Sequence, residues 1–169
     1  GVTNNAVNVN LPGGSNPSDI AVNTVTNKIY VANSGGTTVS VIDGVTGSVT
    51  PVTAGTMPWR VAVNPVTNKI YVANYTSNNV TVIDGATNVA TNIPAGINPN
   101  AIAINAVTNR IYVANRTSND VTVLAGSGGT ATTVLAGTNW GPMAGNPGHN
   151  KGYVANHQRH TRTVNEDDP

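Results

Sequence analysis

An all-β fold made of similar antiparallel sheets is predicted by three features of the sequence. The first is the phrase Tyr-Val-Ala-Asn, which occurs four times and begins at Tyr30, Tyr71, Tyr112 and Tyr153. The second is the spacing: each copy stands 41 residues after the last, and a fixed period of this size is typical of stacked or circular repeat architectures. The third is composition, because Val, Thr, Ile and Tyr suit a pleated surface while Gly, Pro and Asn suit turns.

Each period contains four short runs with strand character. In the second unit they span residues 60–64, 69–74, 79–84 and 88–93. Runs separated by turn residues about every 8–12 positions predict an antiparallel meander. Four strands in a period of about 40 residues form the blade of a β-propeller. The predicted fold is therefore a single four-bladed β-propeller domain, with repeats at approximately 14–54, 55–95, 96–136 and 137–169.

The first and third units contain the same four runs. They span 20–23, 28–33, 38–43 and 48–52 in the first unit, and 101–105, 110–115, 120–124 and 130–135 in the third.

The fourth unit departs from the pattern and stops after its third strand. Residues 143–146 replace the inner strand, and Arg162 and Asn165 stand where other units carry Val and Ile or Leu. Residues 5–11 align with an outer strand, so we expect them to pair with residues 160–165 and close the ring. An unclosed array would leave sheet edges and apolar faces in water. An eight-bladed ring of two copies and a piece of a longer array remain alternatives.

The repeat resembles a known family. Residues 65–74, Pro-Val-Thr-Asn-Lys-Ile-Tyr-Val-Ala-Asn, followed by Val-Thr-Val-Ile-Asp at 80–84, are similar to the YVTN family of β-propeller repeats found in bacterial and archaeal surface proteins. The resemblance covers essentially the whole chain, tightly in the first three units and loosely in the fourth. It implies a propeller fold and a surface location. Family members more often close with seven blades, so four units are a departure.

Composition argues against several classes of function. Only 9% of residues are charged and the formal net charge is +1, so no basic stripe is available for a nucleic-acid partner. No apolar run is long enough to cross a bilayer, so membrane insertion is not expected. With no cysteine, disulfides are excluded. Low charge with abundant Thr and Asn favours an extracellular or cell-surface location.

No cofactor or metal is expected. Asp43 and Asp84 are isolated carboxylates, without the close spacing that a calcium site needs. Each precedes a glycine, Gly44 or Gly85, and predicts a hairpin turn in which the glycine takes a positive φ.

Function is expected where equivalent loops differ, because identical residues in every repeat serve the fold. By propeller geometry, the loop entering each inner strand and the loop between the second and third strands open on one face. Aromatic and cationic residues collect in these loops and suit stacking and planar hydrogen bonding to a glycan, a peptide or a small anionic ligand. The predicted ligand-binding residues are Trp59, Arg60, Tyr75, Asn100, Arg116, Trp140 and Arg159. Alternatively, Trp59 and Trp140 only fill the mouth of the ring.

An enzymatic alternative uses the same face. His157 or His160 could act as a general base oriented by Asp19 or Asp120, which would make the chain a small hydrolase of esters, lactones or glycosides. A second alternative is a structural spacer within a longer surface protein. A monomer and a ring-completing homodimer are both compatible with the repeat pattern.

Overall fold

The computed structural model describes residues 8–11, 15–127, 131–137, 140–146, 148–149, 151–156 and 162–165, with the backbone alone at 140–141, 156 and 162–165. These residues form β-strands: β1 (Pro17–Asn23), β2 (Lys28–Asn33), β3 (Thr38–Asp43), β4 (Val49–Thr53), β5 (Pro58–Asn64), β6 (Lys69–Asn74), β7 (Asn79–Asp84), β8 (Ala90–Pro94), β9 (Pro99–Asn105), β10 (Arg110–Asn115), β11 (Asp120–Ala125), β12 (Ala131–Leu135), β13 (Trp140–Asn146), β14 (Lys151–Asn156) and β15 (Arg162–Asn165). Within these ranges there is no helix that could span a membrane.

The strands form four antiparallel sheets in chain order, which we call blades 1 to 4. Blades 1, 2 and 3 are the four-stranded sheets β1–β4, β5–β8 and β9–β12, and blade 4 contains β13–β15. Strands that are neighbours in the chain pair within each blade. Tyr71, for example, lies opposite Ala62 on β5 and Val82 on β7. The predicted all-β propeller architecture is confirmed, and the predicted strand bounds hold to within three residues.

Each complete inner strand begins earlier than predicted, at a proline followed by a bulge. Pro17, Pro58 and Pro99 are the first residues of β1, β5 and β9, and the register shifts at the next residue. Proline is tolerated at the first residue of a strand because it cannot donate to the ladder. The bulge then re-aims one side chain at the rim of the sheet. The bulge residues are Ser18, Trp59 and Asn100.

The predicted aspartate caps are present in the turns that follow β3 and β7. Asp43 Oδ1 accepts hydrogen bonds from the backbone N–H groups of Val45 (2.9 Å) and Thr46 (2.8 Å). These backbone hydrogen bonds lower the pKa of the Asp43 carboxyl below its usual range. The aspartate therefore stabilises the turn through its side-chain oxygen.

The expected positive φ at Gly44 and Gly85 is wrong. Positive φ values occur later in these turns, at Gly47 (70°) and Asn88 (61°). Glycine is needed at position 44 for a different reason: a Cβ there would overlap the Asn27 side chain and carbonyl. The constraint is therefore a close contact between two turns.

The alternation of side chains along the second strand gives each blade two unlike faces. We call the side that carries Tyr30, Tyr71, Tyr112 or Tyr153 the Tyr face, and the opposite side, with Ile29, Ile70 or Ile111, the Ile face. Blades pack in order, with the Tyr face of one on the Ile face of the next. The joint between blades 2 and 3 contains Tyr71, Ala73, Val80 and Val82 against Ile111, Val113 and Leu124. The same arrangement joins blades 1 and 2 and blades 3 and 4.

The tyrosines are the largest side chains in these joints. Tyr30, Tyr71 and Tyr112 are at most 1% exposed. The Tyr71 hydroxyl donates to the Gly126 carbonyl of the next blade (3.1 Å), and burial raises the pKa of Tyr71 to about 12. Tyr71 therefore fills a joint and finds a hydrogen-bond partner, as a buried tyrosine requires.

The predicted closing strand is not found in the described part of the chain. Residues 8–11 form no strand, and β15 pairs with β14 alone among the described strands; residues 5–7 lie outside the described residues. Val9 and Leu11 instead line a cavity of about 500 Å³ together with Ile20 of blade 1. Ile20 is 62% exposed whereas its equivalent in blade 2, Val61, is 6% exposed. Within the described ranges, no blade covers the Ile face of blade 1, and its inner-strand side chains, Ile20 and Val22, stay exposed, whereas Val31 and Ile42 on the same face are buried.

A buried asparagine at the end of β2, β6 and β10 holds the loops at one rim. Asn74 Nδ2 donates to Asn79 Oδ1 and Thr81 Oγ1, both at 2.7 Å, and the Gly55 N–H donates to the same threonine hydroxyl (3.1 Å). A Cβ on Gly55 would overlap Ser77 Oγ. The backbone at Gly55 therefore approaches the amide network too closely for any side chain.

We expect Gly55→Ala to lower the free energy of unfolding by about 1–3 kcal/mol, the usual cost of overpacking a tight site. Gly36→Ala is the matched control, because an added Cβ there would meet no atom within 4 Å; it should change stability by less than about 0.5 kcal/mol. Urea unfolding of both variants measures the difference. Equal stability of the two variants would contradict the close contact at Gly55.

An ion pair supports the turn between β7 and β8 in blade 2, which is equivalent to the Asp43 turn of blade 1. Lys69 Nζ donates to Asp84 Oδ2 at 2.7 Å, and Asp84 Oδ1 accepts from the N–H groups of Ala86 (2.9 Å) and Thr87 (3.0 Å). The Lys69 ammonium, followed by the backbone donors, holds the pKa of Asp84 far below its usual range.

Because folding lowers this pKa, the stabilisation by Asp84 is present above about pH 4, the unfolded value, and is lost as the pH falls toward the folded value. We expect Asp84→Asn to be less stable than the parent at neutral pH and to lose less stability on acidification. Asp43→Asn is the control, since Asp43 has no lysine within ion-pair distance in the described structure. Urea midpoints measured between about pH 2 and pH 7 test this, and identical profiles for the two variants would refute a role for Lys69.

Candidate functional site

The two sets of loops expected on one face do meet there, joined by a repeated backbone hydrogen bond. The Ser34, Tyr75 and Arg116 N–H groups donate to the Asn16, Met57 and Asn98 carbonyls at 3.0, 2.9 and 2.9 Å. We call this face the upper rim. It comprises turns 15–16 and 34–37 of blade 1, 54–57 and 75–78 of blade 2, and 95–98 and 116–119 of blade 3.

The bulge residue of each inner strand is where the blades differ most at the upper rim. Ser18 turns its hydroxyl toward the Ala32 carbonyl (3.2 Å) and the Pro58 carbonyl (3.0 Å), so it links blades 1 and 2. Asn100 is half-buried. Trp59 is a large aromatic at the same position. The bulge thus presents three chemically different side chains from one backbone geometry.

Trp59 is the centre of a compact cluster with two other predicted site residues. The Tyr75 ring lies 6.1 Å from the Trp59 ring, centroid to centroid, and is tilted by 52°. The Arg60 guanidinium carbon lies 5.4 Å from the Trp59 ring centroid, within the range of a cation–π interaction. All three side chains are half-buried, so each keeps surface for a ligand.

Arg60 remains available for an anionic group. Its Nη1 donates to the Trp59 carbonyl at 3.3 Å, and within the described residues the single ion pair is Lys69 with Asp84. A guanidinium has five donors in a planar fork, and among the described residues Arg60 uses one of its nitrogens in a hydrogen bond. The cluster therefore combines an aromatic surface with an uncommitted positive charge.

Met57, two residues before Trp59, was missed by the sequence analysis. Its φ is 58°, in the left-handed region, where the equivalents Asn16 and Asn98 have φ values of 40° and 57°. Asparagine tolerates this conformation better than methionine does. The Thr76 hydroxyl lies against Met57 Sδ (3.4 Å). Comparison of the residue before each inner-strand proline would have found this departure.

The other predicted ligand-binding residues are more scattered in what can be described. Arg116 is exposed, and Asn100 is on β9 of the same blade. Asn98, beside Asn100, donates from Nδ2 to the Tyr75 carbonyl (2.9 Å), which connects the loops of blades 2 and 3. Trp140 begins β13, but its side chain lies outside the described residues, as does the whole of Arg159.

The two candidate catalytic carboxylates both make structural hydrogen bonds. Asp19 Oδ2 accepts from the Val61 N–H at 2.9 Å, just beyond the Trp59 bulge. Asp120 is 8% exposed, and its Oδ1 accepts from Asn115 Nδ2 at 2.6 Å. Their predicted partners, His157 and His160, lie outside the described residues. In the described structure these carboxylates serve the joints and loops of the blades.

No cluster of three or more potential metal-binding side chains occurs within the ranges that the structure describes.

Two solved structures have the same architecture. Kuenenia stuttgartiensis hydrazine synthase superimposes with a TM-score of 0.77 at 20% sequence identity, over 96% of this chain and 52% of that one. A streptogramin B lyase gives a TM-score of 0.70 at 14% identity, over 94% of this chain and 58% of that one. Both are β-propeller proteins, and this chain spans about half the length of each.

The fold and these comparisons define the chain as a β-propeller protein. At such low identity, the likeness concerns the fold and not the activity. No protein-family model matches the chain, and no curated protein matches it in sequence. The YVTN resemblance therefore stays a prediction from the repeated residues.

The conformation of Met57 leads to a stability prediction. We expect Met57→Asn to raise the free energy of unfolding by about 1 kcal/mol, because it relieves backbone strain and supplies an oxygen acceptor to Thr76. Thr117 already donates to Asn98 Oδ1 in this way at 2.6 Å. The reverse change in blade 3, Asn98→Met, should destabilise by a similar amount. Urea unfolding tests both variants, and a loss of stability in Met57→Asn would contradict the interpretation.

Proposed function

We propose that the chain is a YVTN-type propeller that acts as an extracellular or cell-surface binding module. The single observation that carries this proposal is the cluster of Trp59, Tyr75 and Arg60 on the upper rim, with ring centroids 6.1 Å apart and the guanidinium 5.4 Å from the indole. Aromatic side chains that are half exposed at a rim provide contact area at low entropic cost.

A glycan with an acidic sugar is the ligand class that fits this cluster best. A pyranose ring offers C–H groups to an aromatic surface and hydroxyl groups to polar neighbours. A carboxylate on that sugar would meet the Arg60 guanidinium, whose fork geometry matches a carboxylate. The tilt of 52° between the two rings makes an angled surface, which suits a puckered ring better than a flat one.

The surroundings of the cluster support binding rather than catalysis. The candidate carboxylate Asp19 is engaged with the Val61 N–H, and its hydrogen bond fixes the strand that carries Trp59 and Arg60. It therefore has a positioning role. The names of the similar solved structures, a synthase and a lyase, describe those proteins, and no contact among the described residues favours either chemistry here.

Location outside the cell follows from composition as an expectation. The chain has few charges and many threonine and asparagine residues, in keeping with the surface proteins that the repeat resembles. Because the chain spans about half the length of the similar solved structures, the activity of the whole protein is part of this proposal.

The test is a glycan array followed by titration calorimetry on the strongest binder. We expect Trp59→Ala to weaken binding by at least roughly 30-fold, as truncation of an interfacial aromatic anchor typically does. Arg60→Gln should weaken binding of acidic glycans and leave neutral analogues unchanged. The control is Val66→Ala, which removes a 75% exposed apolar side chain from a turn at the opposite rim.

Full binding by Trp59→Ala would contradict the proposed site. Preference of the parent for peptides over every glycan would contradict the ligand class while leaving the site in place.

A further inference from the structure

Blade 1 has an Ile face that no other described blade covers. Ile20 and Val22 are 62% and 52% exposed, whereas Val61, the equivalent of Ile20 in blade 2, is 6% exposed. In blades 2 and 3 the corresponding face is buried under the Tyr face of the preceding blade. The exposed apolar side chains of β1 therefore correspond to the Ile-face half of a joint, with no Tyr face packed on them among the described blades.

Blade 4, at the other end of the stack, has an uncovered Tyr face. Tyr153 is half-buried and Ala155 is exposed, whereas their equivalents in blade 3, Tyr112 and Ala114, are 0% exposed. Ala144 on the inner strand is also exposed. The two ends of the stack thus carry opposite halves of the same joint.

The two uncovered faces are complementary because the molecule itself pairs such faces three times. In the joint between blades 3 and 4, Tyr112 packs so closely on Gly152 that a Cβ there would come within 3.0 Å of its ring. In the joint between blades 2 and 3, the Tyr71 hydroxyl reaches the Gly126 carbonyl. A Tyr face docked on blade 1 would meet the equivalent carbonyl at Gly44, in the exposed turn after β3. In the joint between blades 1 and 2 the equivalent carbonyl, Gly85, accepts from Lys28 Nζ at 2.9 Å.

The segment before blade 1 already takes one place in the missing joint. Leu11 is 41 residues before Val52, the outer-strand residue of blade 1 that packs on blade 2. Leu11 and Val9 lie over blade 1 and leave between them and Ile20, Val31 and Ile42 a cavity of about 500 Å³. Residues 8–11 therefore lie over blade 1 at the sequence position of an outer strand, although they form no strand themselves, and the three strands that would belong beneath them are not there. Among the residues that the structure describes, blade 4 contains three strands.

We propose that a second copy of this chain docks through these faces, with its blade 4 on the Ile face of blade 1. The contact is head-to-tail, so each copy offers one face of each kind. It buries the apolar side chains of Ile20 and Val22 and places three strands beside residues 8–11. Two such contacts between two copies close an eight-bladed ring. Ile20, Val22, Val31, Ile42, Tyr153 and Ala155 carry no formal charge. Charged groups stand at the margins: Asp19 also lines the cavity, and Lys151 lies on the same side of β14 as Tyr153.

The test is sedimentation equilibrium of the parent and of single variants across a wide concentration range. We expect the parent to self-associate and Ile20→Asp to weaken association by roughly 100-fold or more, because an unpaired carboxylate would be buried in an apolar joint. Ile20 is 62% exposed in the single chain, so the variant should fold normally. Val66→Asp is the matched control, since Val66 is 75% exposed but lies on a turn outside both faces.

A mixing experiment then distinguishes a head-to-tail contact from a symmetric one. Ala155→Arg, on the Tyr face of blade 4, should also abolish association of the chain with itself. A mixture of Ile20→Asp and Ala155→Arg should form a dimer, because one intact Tyr face meets one intact Ile face. Association would support the proposal only if both single variants are monomeric and their mixture is dimeric. A parent that is monomeric at all concentrations, or whose association survives Ile20→Asp, would overturn it.

Discussion

The packing of a Tyr face on an Ile face is the interaction on which the rest of the structure depends. A single blade cannot bury its apolar faces alone, so each blade needs the next one. Tyr71 illustrates how the joint works, because its ring is buried with Ile111 and Val113 while its hydroxyl reaches the following blade. Repetition of this joint orients every blade alike, and so it brings the equivalent loops to one rim.

Asparagine side chains make many of the hydrogen bonds in the turns and loops outside the apolar joints. Asn23 and Asn64 are 0% exposed, and each donates to an asparagine of the next blade, Asn68 and Asn109, at 2.9 Å. Asn74 and Asn115 hold the upper loops in the same repeated manner. Neutral amides can satisfy buried backbone groups without the desolvation cost of an ion. This explains how a chain with so few charges can still specify its turns.

Much of the fold was predictable because its signals are local and repeated. Alternation in residues 69–74 predicts the two faces of a blade, and antiparallel connectivity predicts that the loops around Met57 and Tyr75 share a rim.

Non-local features were not predictable in the same way. The placement of residues 8–11 depends on which apolar surface is uncovered, and the roles of Asp19 and Asp120 depend on donors, Val61 and Asn115, that only the folded chain brings near. The contact of Arg60 with Trp59 was also hidden, because neighbours on a regular strand point to opposite faces and only the bulge relaxes that rule.

The bulge after each inner-strand proline has a consequence for how such a protein can diversify. It supports serine, tryptophan and asparagine in successive blades with the same backbone course, so a single codon change at that point alters what the molecule displays without disturbing how it folds. Three such positions, spaced regularly along one rim, can each carry a different side chain on the same backbone. A lineage built this way can acquire new recognition one position at a time, and a laboratory could randomise the same positions together.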